Sequence, residues 1–220
     1  MLPPRSPARI APTGLAAATV ALTGVVALTQ VIRALGAVEA RRLHEAAVEI
    51  GADPAMLTTT YDRTAWVMGP LLVAAWVVGC LWLQRARDNA QAISPGVRQR
   101  RQRAWIWFGW WVPFANLFVP YQLVKDVQRA SVPPGREAGL GWWWAAWLVF
   151  LVLPMPISGG EDWQESPDLI DLVVTVEGVA AVAALVGGAL WCRAVLRITG
   201  GQEEALRGPA PAPQPLLGGG

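Results

Sequence analysis

Hydrophobic and polar residues follow one another along this chain in long blocks, with no strand-like alternation. Five apolar blocks occur, and each has roughly the 17–24 residues needed to cross the hydrocarbon core of a bilayer. Four of them predict membrane-spanning helices, at about 14–32, 65–83, 141–157 and 169–192. A signal peptide is the alternative interpretation of the first block, which follows a short basic leader.

The remaining block, residues 105–121, is apolar but contains residues that break helices. Its sequence is WIWFGWWVPFANLFVPY. Pro113 and Pro120 each remove a backbone donor and disfavour helical geometry at the preceding residue, and Asn116 is costly against lipid. We therefore predict that residues 104–131 form a re-entrant or interfacial segment. A kinked fifth span is the alternative.

The distribution of basic residues favours four spans. If the broken block enters and leaves on one side, 14 of the 18 Lys and Arg residues lie on that side, and the acidic connector 158–168 lies on the other. If the block crosses the membrane, the basic residues divide into eight and ten, and the acidic connector moves to the cytoplasm. The positive-inside rule then predicts that both termini are cytoplasmic.

Composition agrees with an all-α polytopic membrane protein. The chain is 54% hydrophobic and 15% charged, whereas soluble domains have about 25% charged residues. Only one of the basic residues is Lys, and Ala, Gly and Pro are abundant. This bias suggests a high-GC bacterial genome, so we predict a bacterial cell membrane as the location. We predict a disordered leader at 1–13, one membrane domain at 14–204 with an extracytoplasmic helical loop at 33–64, and a disordered Pro/Gly tail at 205–220.

A helix is predicted after the broken block. Lys125, Asp126 and Arg129 fall on one of its faces. The opposite face is formed by apolar residues, namely Tyr121, Val124 and Val127. This division is typical of a helix that lies in the membrane interface.

Three motifs carry a resemblance to a known family. They comprise Trp82, Arg85, Arg87, Asn89 and Ala90; then Gly109, Trp110, Pro113, Asn116 and Pro120; then Trp142 and Trp143. In this order they resemble the actinobacterial membrane proteins grouped as domain-of-unknown-function 4328, and the likeness covers most of residues 15–204. The resemblance implies a multi-pass membrane fold and no established activity.

Polar residues next to the broken block are candidates for ligand or lipid binding. The two prolines leave backbone carbonyls without donors, at Gly109 and Asn116, and side chains of Arg85, Arg87 or Asn89 can supply those donors. In that interpretation they hold the segment in place, together with the structural motif Gly109, Trp110, Pro113 and Pro120. The alternative is a polar pocket formed by Arg85, Arg87, Asn89 and Asn116 that binds an anionic lipid head group or a small ligand.

The last span contains an acidic residue, Glu177. An ionisable group within a span is a functional candidate because burying it in lipid is costly. Arg33, at the end of the first span, is its predicted partner by depth, and Gln30 lies one turn deeper. Glu177 can form a structural ion pair, or it can take part in a proton or cation relay. The sequence does not decide between these two roles.

Small residues on the same span form a face suited to close helix packing, at Ala180, Ala184 and Gly188. This face can pack within the protein or form a homo-oligomer. Another membrane protein is a further candidate partner.

Catalytic and metal-binding patterns are missing from the sequence. There is one histidine, His44, and no Ser/His/Asp, Cys/His or phosphate-binding glycine motif. We therefore predict no metal, no cofactor, no nucleic-acid partner and no enzymatic activity. The predicted role is contact with membrane lipids or proteins, and a small transporter or channel-like protein is the alternative.

Overall fold

The computed structural model describes residues 10–154 and 167–208, and all regular structure in these ranges is helical. The α-helices there are α1 (Thr13–Glu49), α2 (Thr60–Ile93), α3 (Trp105–Phe108), α4 (Val119–Ser131), α5 (Leu140–Val152) and α6 (Pro167–Arg207). Most of the predicted leader, of the acidic connector and of the Pro/Gly tail lies outside the described residues, as does the end of the predicted span 141–157.

Three of these helices, α1, α2 and α6, are long and apolar enough to cross a membrane. The fourth apolar helix, α5, has 13 residues. At 1.5 Å per residue it is about 20 Å long, shorter than the roughly 30 Å hydrocarbon core. Over residues 10–154 and 167–208 the fold is therefore all-α, with three candidate spans and one shorter apolar helix.

Helix α1 continues well beyond its apolar part, through the polar residues that follow Arg33. It ends where Gly51 adopts a φ of 72°, a conformation that glycine tolerates without strain. The amide of Ala52 then donates to the carbonyl of Ala47 at 2.8 Å. Because α1 continues to Glu49, about 25 Å of helix projects past the predicted span.

Small residues set the distances between α6 and its neighbours. A Cβ on Gly188 would lie 3.2 Å from the Cγ2 atom of Thr23 in α1. A Cβ on Gly187 would lie 3.2 Å from the Cβ of Ala146 in α5. The small-residue face of α6, with Ala180 and Ala184 buried beside these glycines, is therefore used for packing within the bundle.

The broken block does not form a continuous helix. After the four residues of α3 the chain turns, and Phe114 takes a φ of 61°, which is unusual for a residue with a side chain. Pro120 lies in the first turn of α4, where a missing amide costs little. The backbone is tight at Gly109, because a Cβ there would lie 2.8 Å from the Cγ1 atom of Val119. We call residues 105–118 the wedge.

The part of the chain between α2 and α5, which contains the wedge and α4, has both of its ends at the same end of the bundle. It starts where α2 ends and finishes where α5 begins, and Arg197 of α6 donates to the Arg136 and Glu137 carbonyls there, both at 3.0 Å. We call this the Arg87 end and the opposite one the Glu177 end.

Between its two ends the wedge reaches deep into the bundle. The Trp76 ring of α2 lies 5.6 Å from that of Trp107 and 5.3 Å from that of Trp111. Trp76 and Arg87 are three turns apart on α2, about 16 Å. On the other side, the Trp110 ring lies 6.2 Å from Trp144 of α5. The wedge therefore fills the space between α2 and α5 down to the middle of α2.

Candidate functional site

At the Glu177 end, a buried carboxylate joins three helices. The Oε1 atom of Glu177 accepts hydrogen bonds from Arg33 Nε at 2.9 Å and from the Tyr61 hydroxyl at 3.0 Å. Its Oε2 atom accepts one from Gln30 Nε2 at 2.7 Å. The Arg33 guanidinium also lies 4.0 Å above the centre of the Tyr61 ring. The charge of Glu177 is thus neutralised and both of its oxygens are bonded.

Arg33 and Gln30 both contact Glu177, as predicted from their depth in the first span. Tyr61 was not predicted, because it precedes the apolar part of α2. Its approach depends on Gly36, where a Cβ would lie 2.8 Å from the Tyr61 backbone nitrogen. With every oxygen engaged, the cluster of Glu177, Arg33, Gln30 and Tyr61 acts as a clamp between α1, α2 and α6.

At the Arg87 end, a fully buried glutamine makes the connection between helices. Gln202 of α6 donates from Nε2 to the Ala86 carbonyl at 2.7 Å and to the Ser131 hydroxyl at 2.8 Å. Its Oε1 atom accepts from Asn89 Nδ2 at 3.2 Å. Asn89 also donates to the Ile10 carbonyl at 3.1 Å. Asn89 is therefore a packing residue that links α2 to α6.

Gln202 was missed at the sequence level, although a signal for it exists. It continues the buried face of α6 at four and seven residues beyond Ile198 and Val195, which are both fully buried. A polar residue on such a face needs partners inside the protein.

Near Gln202 lies an ion pair whose carboxylate is buried and whose arginine is exposed. Asp126 of α4 is 3% exposed, and its Oδ1 atom accepts from Arg100 Nε at 2.9 Å and from Arg100 Nη2 at 2.7 Å. Its Oδ2 atom accepts from the Arg100 backbone amide at 3.0 Å. The hydrogen bond to Asp126 raises the pKa of the Arg100 guanidinium above its ordinary value.

The prediction that Asp126 lies on the polar face of α4 is therefore wrong. Lys125 and Arg129 are more exposed, and Val124 and Val127 are buried as the apolar face requires. Asp126 can lie beside the valines because Arg100, an exposed residue on the loop before α3, supplies its counter-charge.

Arg87 is buried without an acidic partner. It is 6% exposed, and its Nη2 atom donates to the Arg101 carbonyl. Its Nη1 atom is buried and has no hydrogen-bond partner in residues 10–154 and 167–208. The neighbouring acids are engaged by other arginines, Asp126 by Arg100 and Asp88 by Arg103 at 2.9 Å. Arg87 therefore keeps a donor for a further acceptor.

The other predicted site residues are dispersed. Arg85 is exposed at the surface of α2. Asn116 belongs to the wedge, where its Oδ1 atom is buried without a partner in the described part of the chain. The predicted hydrogen bonds from Arg87 and Asn89 to the carbonyls of Gly109 and Asn116 are wrong. Asn89 donates to Ile10 and Gln202, and Arg87 donates to Arg101 from Nη2 and has no partner at Nη1 within the described residues. The reason is depth, since the wedge descends about three turns below Arg87.

Structural roles are visible for the remaining motif residues. Trp82 is fully buried and donates to the Thr199 hydroxyl at 3.1 Å, and Trp110 donates to the Ile106 carbonyl at 3.0 Å. Within the described ranges, no group of three His, Cys, Asp or Glu side chains is placed to hold a metal ion.

Comparison with known families gives a match over more than half of the chain. The family described as Domain of unknown function (DUF4328) matches residues 59–200, from the start of α2 to the last turns of α6. This range contains all three motifs, the wedge and Arg87. Comparison with curated proteins and with solved structures gives no match.

Proposed function

The chain belongs to the family described as Domain of unknown function (DUF4328), and from the geometry of its Arg87 end we propose a non-enzymatic membrane protein that binds the head groups of anionic phospholipids. The observation that carries this proposal is the buried guanidinium of Arg87 with its unbonded Nη1 atom.

The proposed topology has four spans, α1, α2, α5 and α6, in a bacterial plasma membrane. The wedge enters and leaves from the cytoplasm, and both termini are cytoplasmic. Two observations support it. The start of α1 and the end of α6 lie at the Arg87 end, and 14 of the 18 basic residues fall in the segments that leave this end.

An anionic ligand fits Arg87 for a simple electrostatic reason. A buried cation that forms no ion pair of its own is costly, and a guanidinium offers a planar fork that matches the oxygens of a phosphate. Asp126 and Asp88 cannot fill this role while Arg100 and Arg103 engage them. In the proposed topology Arg87 lies at the cytoplasmic boundary of the membrane, at the level of the lipid phosphates.

Arg85 would assist from the outside of the bundle. Its side chain is exposed and starts half a turn before that of Arg87 on α2. A long arginine side chain at this level extends its charge into the head-group layer while its methylenes stay against lipid. Each such residue near an anionic surface contributes about 1 kcal/mol of attraction.

The test is lipid retention after purification in native-lipid particles. We expect Arg87→Gln to lower the ratio of bound anionic to zwitterionic phospholipid roughly fivefold, as expected for the loss of about 1 kcal/mol. Arg87→Lys should recover only part of it, because an ammonium cannot form the bidentate contact. Mass spectrometry of the extracted lipids measures the ratio.

Arg42→Gln is the matched control, since Arg42 is an exposed arginine beyond the Glu177 end. It should leave the ratio unchanged. If Arg87→Gln does not yield folded protein, Arg87→Lys provides the comparison with the unsubstituted protein. An unchanged lipid ratio in a folded Arg87 variant would contradict the proposal.

A further inference from the structure

A short arginine-rich segment between α2 and α3 contacts the buried side chain of Arg87. We call residues 98–103 the strap, and its four arginines are Arg98, Arg100, Arg101 and Arg103. The Nη2 atom of Arg87 donates to the Arg101 carbonyl. The Nε atom of Arg101 donates to Gln122 Oε1 of α4 at 2.9 Å. The strap therefore lies against α2 and α4 beside Arg87.

Two arginines of the strap neutralise two carboxylates near Arg87. Asp126 and Asp88 both interact electrostatically with the Arg87 guanidinium. Arg100 forms an ion pair with Asp126 at 2.7 Å, and Arg103 forms one with Asp88 at 2.9 Å. Each of these acids is thus compensated by a different arginine, so the positive charge of Arg87 is left for another anion.

The two ion pairs differ in how much water reaches the carboxylate. The Asp126 side chain is 4% exposed, whereas that of Asp88 is 38% exposed. Water and salt screen an exposed charge well, but they screen a buried charge poorly. If Arg100 moved away, the charge of Asp126 would therefore act strongly on Arg87. The loss of Arg103 from Asp88 would have a weaker effect.

We propose that Arg100 is a positioning residue for the lipid site, because it neutralises Asp126 and thereby keeps Arg87 available to an anionic phosphate. This inference rests on the proposed function of Arg87. With the strap in place, the site carries a net positive charge. When the strap lifts, Asp126 compensates Arg87 and repels the phosphate, so the lipid is released. Because such coupling is reciprocal, lipid bound at Arg87 also holds the strap in place.

The first test is the ratio of anionic to zwitterionic phospholipid retained in native-lipid particles. Arg100→Gln should lower this ratio roughly fivefold, as a coupling of ordinary size does. Adding Asp126→Asn should restore the ratio, because no uncompensated carboxylate then remains beside Arg87.

Arg98 provides the matched control, since it is an exposed arginine of the same strap. Arg98→Gln/Asp126→Asn has the same net charge as Arg100→Gln/Asp126→Asn. Adding Asp126→Asn to Arg98→Gln should raise the ratio much less than adding it to Arg100→Gln. Equal recovery in the two backgrounds would refute the role of Arg100 alone. An unchanged ratio in Arg87→Gln would instead refute the proposed function.

Amide hydrogen exchange tests the coupling without any substitution at Arg100. The Arg100 amide donates to Asp126 Oδ2 at 3.0 Å, so its exchange rate reports whether the strap is in place. We expect slower exchange in nanodiscs of phosphatidylglycerol and phosphatidylcholine than in nanodiscs of phosphatidylcholine alone. The difference should disappear in Arg87→Gln. Equal or faster exchange in the anionic nanodiscs would overturn the proposal, as would a difference that persists in Arg87→Gln.

Discussion

Replacing Glu177 with alanine is expected to destabilise the protein by about 3–5 kcal/mol, the cost of removing one partner of a buried ion pair. Glu177 is 3% and Arg33 13% exposed, so the remaining guanidinium would lose its counter-charge inside the bundle. The donors of Gln30 and Tyr61 would lose their acceptor as well. Reversible unfolding in mixed micelles, followed by circular dichroism, measures the free energy of unfolding.

An exposed ion pair between the same two helices provides the control. Asp171 accepts from Arg41 at 3.0 Å, and these side chains are 58% and 44% exposed. Asp171→Ala should cost less than about 1 kcal/mol, as surface ion pairs do. The Arg33→Met/Glu177→Leu variant should be more stable than Glu177→Ala, since no charge is left unpaired. Equal losses at Asp171 and Glu177 would contradict the clamp.

The second large effect is expected at Gly201, where α6 crosses α4. A Cβ on this residue would overlap the Ser131 carbonyl oxygen and lie 3.3 Å from its carbonyl carbon. Since backbone atoms cannot rotate away, Gly201→Ala should force the helices apart and cost about 1–3 kcal/mol. The neighbouring Gln202 would then lose the geometry of its bond to Ser131.

The adjacent glycine gives a matched comparison for this substitution. No atom lies within 4 Å of a Cβ placed on Gly200, so Gly200→Ala should instead stabilise α6 by up to about 1 kcal/mol. Both variants are measured by the same unfolding titration. The close contact would be refuted if Gly201→Ala were as stable as Gly200→Ala.

Much of the architecture follows from local pattern. Long apolar blocks predict α1, α2 and α6, because a helix is the structure that satisfies its own backbone in lipid. The break at residues 105–118 follows from the chemistry of Pro113 and Pro120. The pairing of Arg33 with Glu177 follows from depth alone, since two charges at the same level of adjacent spans are strongly driven to meet.

Other parts depend on contacts between distant segments. The burial of Asp126 depends on Arg100, which lies on the loop before α3. The periodicity of α4 carries no information about that contact. The hydrogen bonds of Gln202 form only when α2, α4 and α6 are rotated about their axes so that Ala86, Ser131 and Gln202 face one another. The helical periodicity of the sequence predicts which face of each helix is buried. It does not predict which residue of another segment packs against that face.

In the proposed topology the wedge enters and leaves the membrane on one side. Cysteine labelling tests it, in a background where Cys80 and Cys192 are replaced by alanine. Single cysteines are introduced at exposed positions before the wedge (Arg98→Cys), after it (Glu137→Cys) and beyond the Glu177 end (Glu45→Cys). A reagent that cannot cross membranes is added to intact cells or to inverted vesicles. We expect Arg98→Cys and Glu137→Cys to be labelled only in inverted vesicles and Glu45→Cys only in intact cells. Labelling of Glu137→Cys in intact cells would contradict the proposed topology.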